Sequence, residues 1–145
     1  MKNLETAMRV ATSSAFGFYL KVHSAHLNIV GPNFFEYHKL LEMIYKDIWD
    51  SYDTWAEQMR ALDMLAPAGI EEFQMLSIVK DNNPKLSPQE MIYDLLIDNG
   101  RLIDLFCGVN ALALPHPGLQ NFIQSRIDTH AKWSWMLRST IQKEV

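Results

Sequence analysis

The stretch from His38 to Glu57, HKLLEMIYKDIWDSYDTWAE, restricts what this chain can fold into more than any other. Through it and just beyond, Leu41, Ile44, Ile48, Tyr52, Trp55, Met59 and Leu62 recur every three or four residues, which is the period of a helix with one core face. At about 100° per residue, His38, Glu42, Asp53 and Glu57 share a second face, within a sector roughly 100° wide. Imidazole and carboxylate are metal-ligating groups. The two pairs, His38 with Glu42 and Asp53 with Glu57, are about 16 Å apart along the axis at about 1.5 Å rise per residue, so one helix alone cannot close one site. Tyr45, Trp49 and Ala56 lie among them, and a partly apolar second face is better buried against a partner than bathed in water.

The midpoint of positions 38 and 57 is also the midpoint of 42 and 53. Two copies of the helix crossing antiparallel about a two-fold axis near Asp47 and Ile48 would therefore bring His38 and Glu42 of one chain to Asp53 and Glu57 of the other. Such a contact is isologous and creates two identical sites per dimer. Spacing alone leaves other packings open, parallel ones included.

Four long helices are predicted. Helix A runs from Leu4 to about Ile29, with Leu4, Ala7, Met8, Ala11, Ala15, Phe18, Val22 and Ala25 at helical spacing, and ends at Gly31-Pro32. Asn33 and Glu36 suggest a capping box for helix B, which extends from about Phe34 to Leu65. Pro67-Ala68-Gly69 breaks the chain, and Ile70 to Val79 reads as a short connecting helix before the polar turn Lys80 to Lys85. Ser87-Pro88-Gln89-Glu90 is a strong helix start, opening helix C to about Leu112. Pro115-His116-Pro117-Gly118 turns into helix D, which reaches about Gln142. No repeat or strand-like alternation interrupts this pattern, so the expectation is a single all-α domain over 1–145, a four-helix bundle with a short extra helix in the B–C crossover.

Composition fits one domain: 145 residues with 48% hydrophobic content support one core. The single Cys107 excludes an internal disulfide and a four-cysteine zinc site. With no apolar run of membrane-span length and no apolar signal core in MKNLETAMRV, a cytoplasmic protein is expected. The net charge of −4 argues against nucleic-acid binding by bulk electrostatics. Ferritin-type di-iron bundles use inward Glu-x-x-His pairs. None occurs in this sequence, which favours a site between subunits over one inside the bundle.

The region Lys21 to Asp63 resembles the signature of the Dps family, the mini-ferritins also called DNA-binding proteins from starved cells. Lys21, His23, His26, Gly31, Phe35, His38, Asp53, Ala56 and Glu57 fill the positions of that pattern, with H-x11-H-x14-D-x3-E spacing, and His130 with Trp135-Met136-Leu137-Arg138 resembles the family's last helix. The resemblance implies a hollow dodecamer with ferroxidase sites at two-fold interfaces, His26, His38 and Glu42 coming from one chain and Asp53 and Glu57 from its partner. It also implies a dinuclear iron site that oxidises Fe²⁺, preferentially with hydrogen peroxide rather than O₂, and storage of ferric iron in the cavity.

The sequence departs from the pattern in several places. Leu27 replaces a tryptophan thought to intercept stray oxidising equivalents, a role left vacant or taken by Trp49 or Tyr45. Glu42 replaces the more usual aspartate. No Asp or Glu occurs from Leu105 to Ile127, where relatives carry an acidic entry pore, so iron enters elsewhere or His116, Asn110 and Asn121 line a neutral pore. A lysine-rich DNA-binding tail is replaced by Lys2 and Arg9 alone near the start, and DNA is a doubtful partner.

Each residue also has a plainer reading. His26 or His38 alone would be a hydrogen-bonded core histidine, and Asp53 with Glu57 alone a solvated face; the joint spacing makes them ligands. His23 either supports His26 or packs. His116 reads as a turn residue, His130 as structural and the methionines as core filler. Two rivals stand beside the ferroxidase: a DNA-shielding shell without iron oxidation, and an iron-binding cage with weak kinetics.

Overall fold

The computed structural model describes residues 3–142. Five helices follow in order: α1 (Leu4–Asn28), α2 (Phe34–Ala61), α3 (Ile70–Leu76), α4 (Pro88–Leu112) and α5 (Pro117–Ile141). This is the all-α ferritin-like bundle of four long helices, with α3 as the extra helix in the crossover. Lys2 lies outside the described residues.

The α1–α2 connection is short, and its geometry rests on Gly31, whose φ of 129° belongs to glycine because it lacks a Cβ. Lys21 lies beside Asp94 and Asp98, while Trp55 packs on Phe106 at the level where Thr12 meets Met59. Hence α4 runs antiparallel to α1 and parallel to α2, and the 62–87 crossover must travel the length of the bundle.

The core follows the predicted stripes. Ala7, Met8, Ala11, Phe18, Val22 and Ala25 of α1 meet Leu41, Ile44, Ile48, Trp55 and Met59 of α2, all fully buried, with Leu95, Leu102 and Phe106 of α4 and Ile123 and Leu137 of α5. Each of the larger of these side chains contributes roughly 1.5–3 kcal/mol by leaving water. Trp55 is clasped by Phe106 and Phe122 at ring-centroid distances of 4.8 and 5.0 Å.

Some boundaries differ from expectation. Helix α2 stops at Ala61 rather than Leu65 because Asp63 turns into the left-handed region, φ 61°. The Met64 N–H then reaches back to Met59 O and the Asp63 N–H to Arg60 O, the Schellman ending. Asn33 makes no side-chain cap, so that expected capping box is not formed, whereas the Ser87–Glu90 box is complete. Helix α3 ends at Leu76, since Ser77 leaves helical geometry and its hydroxyl engages Val79. Arg9, one of the two basic residues noted near the start, is occupied by Glu72 and the Leu65 carbonyl.

A polar network crosses the core between α2, α4 and α5. Arg126 grips Asp47 with two hydrogen bonds of 3.0 and 2.8 Å, and Trp133 Nε1 adds a third at 3.1 Å. Burial raises the Asp47 carboxyl, but the hydrogen bonds and charge of Arg126, joined by the Trp133 hydrogen bond, together outweigh it and the net shift is downward. Asn99 donates to His130 O and Ser134, so its Oδ1 accepts from His130 Nδ1, and Arg126 donates to His130 Nε2. His130 is thus a neutral core residue whose pKa burial lowers to about 3.

Candidate metal centre

His26 sits in the last turn of α1 and His38 in the first turns of α2, face to face across the Gly31 turn. Their rings stack with centroids 3.6 Å apart and an interplanar angle of 16°. His26 Nδ1 bonds the His38 carbonyl at 2.8 Å, and His38 Nδ1 bonds the His26 carbonyl at 2.8 Å. A carbonyl only accepts, so both Nδ1 atoms carry the proton and both Nε2 atoms keep a free lone pair. The two rings lie nearly parallel, each with its Nε2 left out of the Nδ1–carbonyl bonds. Burial lowers the His26 pKa, which keeps the imidazole neutral, as a metal ligand must be.

Glu42, one turn beyond His38, is half-buried and flanked by Lys39 at 3.9 Å and Lys46 at 3.6 Å. Asp53 and Glu57 are exposed one turn apart toward the far end of α2. The neighbouring Asp53 carboxyl raises the Glu57 pKa, as a like charge nearby disfavours the ionised form. One chain thus joins His26 to His38 at one end of α2, with Glu42 one turn further on, and sets Asp53 and Glu57 toward the other end. Among the described residues of a single chain, no three His, Cys, Asp or Glu side chains form a metal-holding group.

The level of the expected two-fold axis, Asp47 and Ile48, points inward: Ile48 is core and Asp47 is held by Arg126. The outward residues at that level are Tyr45 and Trp49, and Trp49 is about half exposed. His23 is neither isolated nor simply packed. Its ring stacks on Tyr45 at 4.2 Å and 11°, and its Nδ1 lies 3.0 Å from the Tyr19 hydroxyl. Tyr45 in turn meets the His26 ring at 5.0 Å. Sequence reasoning missed Tyr19, although its i, i+4 spacing to His23 was a visible signal. Leu27, beside His26, is largely exposed. His116 precedes α5 without capping it through its side chain. Among the described residues no helix is long and apolar enough to cross a membrane.

Comparison with known proteins places the chain in a family. Residues 7–144 match the model of the ferritin-like domain. Over 67 residues the chain is 36% identical to antigen TpF1 of Treponema pallidum, covering 46% of this chain and only 38% of that relative. Over 81 residues it is 32% identical to the DNA protection during starvation protein of Helicobacter pylori, covering 56% of each. The TpF1 crystal structure superposes with a TM-score of 0.90 at 25% identity, over 97% of this chain and 92% of that one. The Dps protein of Vibrio cholerae, described as a member of a broad superfamily of ferritin-like diiron-carboxylate proteins, gives 0.91 at 22% identity, over 96% and 89%. The chain belongs to the ferritin-like family.

Proposed function

We propose that this mini-ferritin binds Fe²⁺ as substrate at sites shared between two subunits, oxidises it, preferentially with hydrogen peroxide, and holds the ferric product inside a closed homo-oligomer, a dodecamer as the Dps resemblance implies. His26, His38 and Glu42 of one chain would ligate with Asp53 and Glu57 of the partner. The observation that carries this reading is the reciprocal His26–His38 arrangement. A histidine pair kept for packing alone has no need of both Nδ1 atoms being tied to backbone so that both Nε2 lone pairs stay free.

The donor set fits iron, since imidazole nitrogen suits Fe²⁺ and carboxylate oxygen holds Fe³⁺ as charge accumulates. Each residue has a part in that chemistry. The two carbonyls fix the tautomer and orientation of the imidazoles. Asp53 and Glu57 would offer their carboxylates to the metal from the partner chain. Exposed Trp49 and half-buried Tyr45, lying between the two ligand pairs, would exclude water once a second α2 covers them.

The test is anaerobic Fe²⁺ loading followed by peroxide or air, with ferric absorbance followed in wild type and Asp53→Ala. Rapid peroxide-driven oxidation lost in the variant, with helicity and assembly retained, is the expected result. Equal slow traces would instead favour a Dps-like shell without ferroxidase activity.

A further inference from the structure

We propose that Tyr19 is a proton-coupled electron donor to the iron site, acting through Tyr45 with His23 as proton acceptor, and that it serves sites holding a single iron. The proposal rests on the ferroxidase reading above. Its basis is a continuous set of contacts leading away from His26. Tyr45 meets the His26 ring at 5.0 Å and 67°, and stacks on His23 at 4.2 Å and 11°. Tyr19 meets Tyr45 edge-on at 6.1 Å, and its hydroxyl lies 3.0 Å from His23 Nδ1. Beyond Tyr19, Trp49 lies at 5.0 Å and Phe16 at 5.8 Å, so the phenol sits inside an aromatic cluster.

This pairing supplies what one-electron oxidation of a tyrosine needs. Losing an electron makes the phenol strongly acidic, so a base already within hydrogen-bond reach lets electron and proton leave together. With His23 in the Nε2–H tautomer, Nδ1 is that base and the Tyr19 hydroxyl donates to it. Leu27, the residue following His26, has no electron to give.

Peroxide needs two electrons to break its O–O bond and leave two hydroxide ions, and one Fe²⁺ supplies only one. Without a second donor the reaction stops at Fe³⁺, one hydroxide and a hydroxyl radical. In the proposed step Tyr19 gives the second electron across Tyr45, and its phenolic proton passes to His23 Nδ1. The products are Fe³⁺, two hydroxide ions, a neutral Tyr19 phenoxyl radical and a His23 imidazolium. A second Fe²⁺ reaching the site returns an electron to Tyr19, while His23 returns the proton. The sum is two Fe²⁺ oxidised per peroxide, with the relay restored.

The experiment loads anaerobic protein with one or two Fe²⁺ per candidate site, adds one equivalent of peroxide, and reads three signals: ferric absorbance, freeze-quench EPR and spin-trapped hydroxyl radical. At one iron per site, wild type is expected to show a transient phenoxyl signal and little trapped radical. Tyr19→Phe loses that signal and releases several-fold more trapped radical, yet matches wild type at two irons per site. His23→Gln forms the phenoxyl at least roughly tenfold more slowly. Protein grown with 3-fluorotyrosine, every side chain otherwise in place, changes the hyperfine pattern and identifies the signal as tyrosine. Rapid iron oxidation with no phenoxyl, or with one unchanged in Tyr19→Phe, overturns the relay and leaves the ferroxidase standing. Absence of rapid oxidation at both loadings overturns both.

Discussion

His130 shows how much one buried side chain can dictate. Both ring nitrogens are engaged, by Asn99 and by Arg126, and burial lowers the pKa from 6.5 to about 3. Between those values the unfolded chain binds a proton that the folded chain refuses. The stabilisation is therefore complete above about pH 6.5 and is lost as pH falls toward 3, at up to about 1.4 kcal/mol per pH unit. Urea denaturation at pH 7 and pH 5 should show a lower midpoint at pH 5. In His130→Gln that difference should shrink, although the variant is weaker at pH 7. Gly17 is restrictive for a different reason. A Cβ there would collide with Ser77 Oγ, which is pinned by Val79 on both its donor and acceptor sides. Gly17→Ala should cost about 1–3 kcal/mol through overpacking, read as a lower thermal midpoint.

At the scale of elements, α2 matters most because it carries His38, Glu42, Asp53 and Glu57, and the Asp47–Arg126 grip fixes its rotation against α5. Asp47→Ala would leave Arg126 buried without its partner and should cost about 3–5 kcal/mol in equilibrium unfolding. Ser87→Ala, which removes one capping hydroxyl from α4, should cost only about 1 kcal/mol. The long helices were legible because their burial is periodic, and Leu41, Ile44, Ile48, Trp55 and Met59 announce their face by spacing alone. The start of α4 was equally legible, since Ser87, Pro88 and Glu90 act locally. The end of α2 was not, because Asp63 holds the left-handed position that glycine most often fills at a helix end, and only the two hydrogen bonds of its Schellman ending reveal it. The four candidate ligands of α2 could be placed on one face from sequence. That His26 and His38 grasp each other's backbone could not, because it depends on how the Gly31 turn folds back.

For the whole molecule, the separation of His26 and His38 from Asp53 and Glu57 along α2 makes a quantitative demand on assembly. In the proposed shared site, His38→Ala retains the carboxylate half and Asp53→Ala the histidine half. Each variant alone should be inactive. Co-assembled in equal amounts, half of the two-fold pairs are mixed, and one of the two sites in each mixed pair is intact, so about a quarter of wild-type activity should return. No recovery on co-assembly would place the site within one chain. The embrace between His26 and His38 has a further consequence, for heredity. Each imidazole is steadied by the other's main chain and leans its ring on the other's, so losing either side chain strips its neighbour of a stacking partner and leaves a carbonyl unanswered. Changes at the two positions should be epistatic, the double replacement scarcely worse than either single one. A population of related chains would then keep both histidines or drift away from both, with few passing through the state that holds only one.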